Sequence, residues 1–200
     1  MKIFTICLIT VLTVFVSIDC QAQSFLEAQV TIIDDGSISS NLVARPAVNL
    51  GGRWNLQALV YINQEWAEMY AGPQYLIVQP SDSLDIIQMC LLVGAGLETT
   101  NEYCFGSILE AVGSNWDALV AVEYGSLGFY YKSQFSYGII GSPTSFVGLG
   151  LYGEKGLGVG PRLVWANIQD NNQVVQLWVN LLHDPKPYKS FVLLGATYLW

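Results

Sequence analysis

Apolar and polar positions alternate with a period of two along almost the whole chain beyond residue 23, and helical spacing is hard to find. Leu56, Ala58, Val60 and Ile62 stand against Asn55, Gln57, Tyr61 and Asn63. Leu127, Phe129, Tyr131, Phe135 and Tyr137 alternate with Gly128, Tyr130, Lys132, Gln134 and Ser136. Ile87, Met89, Leu91, Val93, Ala95 and Leu97 alternate with Gln88, Cys90, Gly94, Gly96 and Glu98. The rhythm predicts twelve strands, at about 24–33, 39–50, 54–63, 66–78, 84–98, 102–112, 117–124, 127–137, 144–152, 157–167, 173–182 and 188–200. Turn-forming clusters separate them, among them Asp34-Asp35-Gly36-Ser37, Gly51-Gly52, Gly113-Ser114-Asn115, Gly141-Ser142-Pro143 and His183-Asp184-Pro185-Lys186-Pro187. Every connection is short, about two to seven residues, and no domain boundary interrupts residues 23–200.

Alternation does not say which face is inside. A soluble barrel turns its apolar face inward, whereas a membrane barrel turns it to lipid. Three features favour lipid outside. The polar face is mostly uncharged Asn, Gln, Ser, Gly and Tyr, not the Lys and Glu of a water-facing sheet. Most strands run about ten residues, the span a tilted strand needs to cross a bilayer. Trp54, Trp66, Trp116, Tyr198 and Trp200 fall near strand ends, where membrane barrels carry aromatic girdles. Composition agrees: 52% of residues are hydrophobic and only 12% charged, against roughly 25% charged in soluble domains. An unpaired strand edge costs several kcal/mol per backbone group in hydrocarbon, so the sheet must close. The expected fold is a closed antiparallel up-and-down transmembrane β-barrel of about twelve strands, ten or fourteen being the alternatives, with short loops on both sides.

Residues 1–22 have the three parts of a secretory signal. Lys2 is the positive start, Ile3–Val16 the apolar run and Ser17–Ala22 the exit, with Ala22 the expected last residue before cleavage. The apolar run is shorter than the ~20 residues of a spanning helix. A net charge of −8 argues against nucleic acid as a partner.

The chain ends Gly195-Ala196-Thr197-Tyr198-Leu199-Trp200. This resembles the terminal assembly signal of bacterial outer-membrane β-barrel proteins: a glycine, two residues, an aromatic, any residue, then a final aromatic. Val192, Leu194, Ala196, Tyr198 and Trp200 would form the lipid face of the closing strand. Leu193 departs from the pattern, which prefers a polar residue there. The resemblance implies a small porin-like barrel in a Gram-negative outer membrane, inserted by the barrel-assembly machinery, with Gly195, Tyr198 and Trp200 as the signal. It assigns no subfamily. Twelve-stranded channels for acidic sugars carry arginine-rich lumens, and this chain has only Arg45, Arg53 and Arg162.

With polarity inverted, the inward set includes Glu27, Arg45, Glu68, Glu98, Glu110, Asp117, Glu123, Lys132 and Arg162. Six acids against three bases favour cations in a water-filled pore. The reading that follows is a narrow passive channel for ions or small solutes with mild cation preference. The alternatives are a non-conducting structural barrel, its interior plugged by paired charges, and a soluble lipocalin-like barrel with an apolar ligand. Cys90 and Cys104 fall on the inner face of adjacent strands, so a disulfide and two free thiols are both open. Two cysteines and the sole histidine, His183, make no tetrahedral metal site, and no cofactor is expected. His183 lies in a Pro-rich loop, no Gly-x-Ser-x-Gly elbow is present, and nothing brings Ser142, Ser145 or Ser190 to it. Enzymatic activity is therefore not expected.

Overall fold

The computed structural model describes residues 24–199 apart from 64, 79–85, 100, 101, 127, 143, 169–172 and 187. The signal segment 1–22 and Trp200 lie outside the described residues. The strands are β1 (Phe25–Ile33), β2 (Ile38–Arg45), β3 (Ala47–Gly51), β4 (Trp54–Asn63), β5 (Ala67–Val78), β6 (Ile86–Glu98), β7 (Tyr103–Gly113), β8 (Trp116–Gly125), β9 (Gly128–Ser142), β10 (Ser145–Glu154), β11 (Gly158–Ile168), β12 (Val174–Asp184) and β13 (Lys189–Leu199).

All pairings are antiparallel and follow chain order around a closed sheet. The seam joins β1 to β13, from Phe25 opposite Leu199 to Ile33 opposite Phe191. β2 and β3 are two halves of one strand, divided at Pro46. β2 meets one half of β4, with Ala44 opposite Val60, and β3 meets the other, with Val48 opposite Leu56. Proline has no N–H to give a ladder. The Pro46 carbonyl still accepts the Ala58 amide at 3.0 Å, so the wall stays joined across the break. Counted this way the barrel has twelve strands, the number the alternation predicts. Both described ends, Phe25 and Leu199, lie at one rim, here called the near end. The hairpins at 34–37, 99–102 and 155–157 mark the far end.

The polarity is inverted. Leu26, Leu42, Leu91, Val93, Leu109, Val120, Leu149, Leu163, Leu177, Leu181 and Leu194 are exposed on the outer surface. Glu27, Gln29, Thr31, Arg45, Asn55, Gln57, Gln74, Glu98, Ser136, Arg162, Asn180 and Thr197 are buried inside. On β13, Leu194, Ala196 and Tyr198 face out as the terminal pattern requires, with Val192 partly covered. Leu193 points inward and packs with Tyr152, Val164, Trp178, Leu182 and Phe191. That apolar filling of one lumen wall gives the inward Leu193 its packing partners.

Strand ends depart from the expected ones mainly at β9, which continues to Ser142 and not to 137. A bulge shifts the β9–β10 register at Val147/Gly148. It leaves Ile139 and Ile140 both exposed, so the alternation breaks although the strand does not. The girdles also need correction. Trp54 and Tyr198 face out at the near end, joined by Tyr75 and Tyr137. Trp66 instead turns into the far mouth and donates through Nε1 to Glu68 at 3.3 Å. Trp116 lies on the lip of the near mouth, against Gly113. The far girdle consists of Tyr103, Tyr124, Phe129 and Tyr188. Trp66 precedes β5 and Trp116 opens β8, at rims where few neighbours constrain a side chain.

Gly195 beds the indole of Trp178, because a Cβ there would fall 2.2 Å from the ring. Trp178 in turn donates to Thr197 Oγ1 at 3.0 Å and carries Arg162 over its ring at 4.7 Å. Gly195→Val is expected to dislodge this stack and cost about 1–3 kcal/mol by overpacking. The measurement is thermal unfolding of barrel refolded from urea into detergent, which bypasses any cellular assembly step. An unchanged melting temperature would show that the glycine is not needed for packing.

Candidate channel lumen

The lumen holds two cavities in series. The far one is about 660 Å³, and the near one about 140 Å³. The far cavity is walled by Val43, Leu59, Tyr61, Tyr70 and Tyr130, with carboxylates from Glu68, Glu98, Glu123 and Glu154. Tyr70 fits because Gly94 and Gly106 leave room for its ring, a Cβ at either falling within 2.7 Å of it.

Glu68, Glu98 and Glu123 come from β5, β6 and β8 and each offers a carboxylate oxygen within 4.8 Å of the others. Glu68 and Glu98 are direct cross-strand partners. Like charges so placed are ordinarily destabilising. Glu98 is partly compensated, accepting the Ser126 amide at 3.1 Å and its hydroxyl. Among the described residues the trio is the one group of His, Cys, Asp or Glu side chains close enough to hold a metal ion together. Alternation puts all three on the inner face but carries no sign that they meet.

Charged groups with polar and aromatic partners fill much of the remaining interior. Lys132 Nζ lies 3.5 Å from Glu27 Oε1 and over the Tyr152 ring at 5.5 Å. Glu27 also accepts from Thr197 Oγ1 at 2.7 Å and from Gln29 Nε2. Arg45 pairs with Glu110 and lies over Phe25 at 4.4 Å. Arg162 bonds Ser136 Oγ at 3.2 Å and Asn180 Oδ1 at 3.3 Å. Asp117 accepts from Gln134 Nε2 at 3.1 Å at the near cavity. All nine charged residues expected on the inner face thus sit in the interior: the far trio, Lys132 and Glu27 with Arg162 further in, and Arg45, Glu110 and Asp117 toward the near end.

Glu154 is the inward carboxylate that sequence reasoning missed. It accepts the Tyr130 hydroxyl at 2.8 Å and the Tyr152 hydroxyl. The expected strand stopped at 152, one inward step short of it. An amide ladder was also missed, running from Asn55 to Gln74 at 2.8 Å, then to Gln57 and to the Cys90 sulfur, each at 3.1 Å.

Cys90 and Cys104 are both buried free thiols. Of the two alternatives left open, the disulfide fails on register: Cys90 faces Glu110 and Cys104 faces Gly96. That separates them by about 20 Å along the strands, far beyond disulfide reach. Ser190, by contrast, does meet His183, with Oγ 3.4 Å from Nδ1 and both residues exposed. A serine nucleophile also needs its base oriented by a further group, and among the described residues no such partner is seen on His183.

A closed all-antiparallel barrel of twelve strands, apolar outside and polar within, is the architecture of outer-membrane β-barrels. One solved structure supports this fold assignment. A KdgM porin in complex with disordered oligogalacturonate aligns with a TM-score of 0.54 at 11% identity, over 87% of this chain and 98% of that one. A second KdgM porin structure aligns at 0.49 and 12% identity, again over 87% and 98%. No family model matches the chain, and neither does any curated protein.

Proposed function

We propose that the protein is a narrow, passive porin-like channel of a Gram-negative outer membrane, passing ions or small solutes with a mild preference for cations. In this reading residues 1–22 are removed on export, and the barrel-assembly machinery reads Gly195, Tyr198 and Trp200. The observation that carries the cation preference is the far-end trio. Three carboxylates held within 4.8 Å of one another at a pore mouth favour an entering cation that relieves their repulsion. Glu154 adds to the acid excess on the same wall. An acidic oligosaccharide such as the one bound by the KdgM porin would meet like charge here. The filled interior favours a second reading, a non-conducting structural barrel, because Arg45, Arg162 and Lys132 all engage interior partners.

The test is conductance and reversal potential in planar bilayers under a salt gradient. Glu68→Gln and Glu123→Gln are each expected to lower the cation-to-anion permeability ratio roughly two- to fivefold, the effect of one nearby charge in a hydrated site. Unchanged selectivity in both would place the trio outside the conduction path. A folded barrel that passes no current either as wild type or with Lys132 neutralised would favour the structural reading.

A further inference from the structure

We propose that Lys132 is a movable bar between the two lumen cavities, shut when it pairs with Glu27 and open when it pairs with Glu154. The proposal rests on the channel reading and adds its regulation. Lys132 is the one residue common to the walls of both cavities, so its side chain stands where the passage narrows. Its closed partner is fixed. Glu27 is buried on β1 and anchored by the Thr197 hydroxyl at 2.7 Å and by Gln29.

The lysine is the loose half. Its 3.5 Å contact is long for a charge-assisted bond, and a four-carbon stem lets the ammonium move without the backbone. A second carboxylate lies within reach. Glu154 faces Lys132 directly across the β9–β10 ladder, lines the far cavity, and is aimed by Tyr130 and Tyr152. Directly opposed residues have Cβ atoms about 5 Å apart. Moving from Glu27 to Glu154 exchanges one ion pair for another, and the carboxylate left behind keeps its neutral donors, Thr197 and Gln29 on Glu27 or Tyr130 and Tyr152 on Glu154. Tyr152 serves both positions, since the ammonium lies over its ring and its hydroxyl holds Glu154. The two interior arginines are not of this kind. Arg45 and Arg162 are each only 2% exposed and lie over Phe25 and Trp178.

The experiment is single-channel recording of wild type, Lys132→Met, Glu27→Gln and Glu154→Gln, each first shown to be folded by its heat-modifiable gel migration. Lys132→Met keeps an unbranched side chain one atom shorter and removes its charge. It is expected to raise the conductance at least about twofold and to shift the reversal potential further toward cations. Glu27→Gln is expected to lengthen open times and Glu154→Gln to shorten them. A silent wild type with a conducting Lys132→Met also supports the bar. A conducting wild type matched by Lys132→Met in conductance and selectivity overturns it and leaves the channel reading standing. If wild type, Lys132→Met and Glu27→Gln are all folded and silent, the channel reading fails and the bar with it. Should Lys132→Met not fold, the carboxylate variants decide: open times that do not move in opposite directions overturn the proposal.

Discussion

Leu149→Arg is expected to destabilise the barrel in lipid vesicles by about 2–4 kcal/mol, the cost of a cation on the lipid face near the bilayer midplane. This corresponds to a loss of roughly 30- to 1,000-fold in the folding equilibrium. Leu149 lies midway along β10, faces outward, and is 53% exposed. Nothing inside the barrel touches a side chain that points away from it, so the penalty comes from the surroundings alone. The measurement is urea-dependent unfolding in vesicles, with Leu149→Met as a control expected to change little. The same substitution separates a membrane barrel from a soluble one. A barrel that lives in water would lose nothing from an exterior arginine and would gain solubility without detergent. That outcome would end the membrane reading.

Arg45→Met is expected to cost about 3–5 kcal/mol, because it leaves the Glu110 carboxylate with no cation in a largely enclosed site. The side chains of Arg45 and Glu110 are 2% and 14% exposed. Little solvent is available to replace the lost partner. Glu110 has the Cys90 thiol nearby at 3.9 Å, which is no substitute for a guanidinium. The double variant Arg45→Met/Glu110→Gln removes both charges and is expected to recover most of the loss, since an apolar or neutral pair carries no stranded ion. Urea unfolding in vesicles reads both. Equal destabilisation by the single and double variants would mean that the arginine acts by packing on Phe25 and not by charge.

The fold was legible because each strand separates lipid from lumen, which makes successive side chains as different as they can be. Leu56, Gln57 and the rows like them carry that contrast without help from any other part of the chain. The turn clusters then mark where it stops. What alternation leaves open is the offset between strands, since any shift by two residues keeps every face intact. Cys90 and Cys104 show the consequence: both lie on the inner face, yet Cys90 is opposite Glu110. Contacts across the hollow are further from view. Lys132 and Glu27 are 105 positions apart and meet because of closure and tilt, which no local pattern encodes. Glu154 was hidden by a strand end placed two residues early. Trp66 and Trp116 were misplaced because residues at a rim have room to turn. Ile139 and Ile140 were lost to a bulge, where the backbone stays extended but the pleat skips a step.

The hairpins at the far end are only two to four residues long. Such a barrel presents almost no relief above the headgroups. An antibody, a protease or a phage tail fibre approaching that rim would meet exposed aromatics and, among the described residues, only tight bends. A chain built this way trades recognition for inconspicuousness.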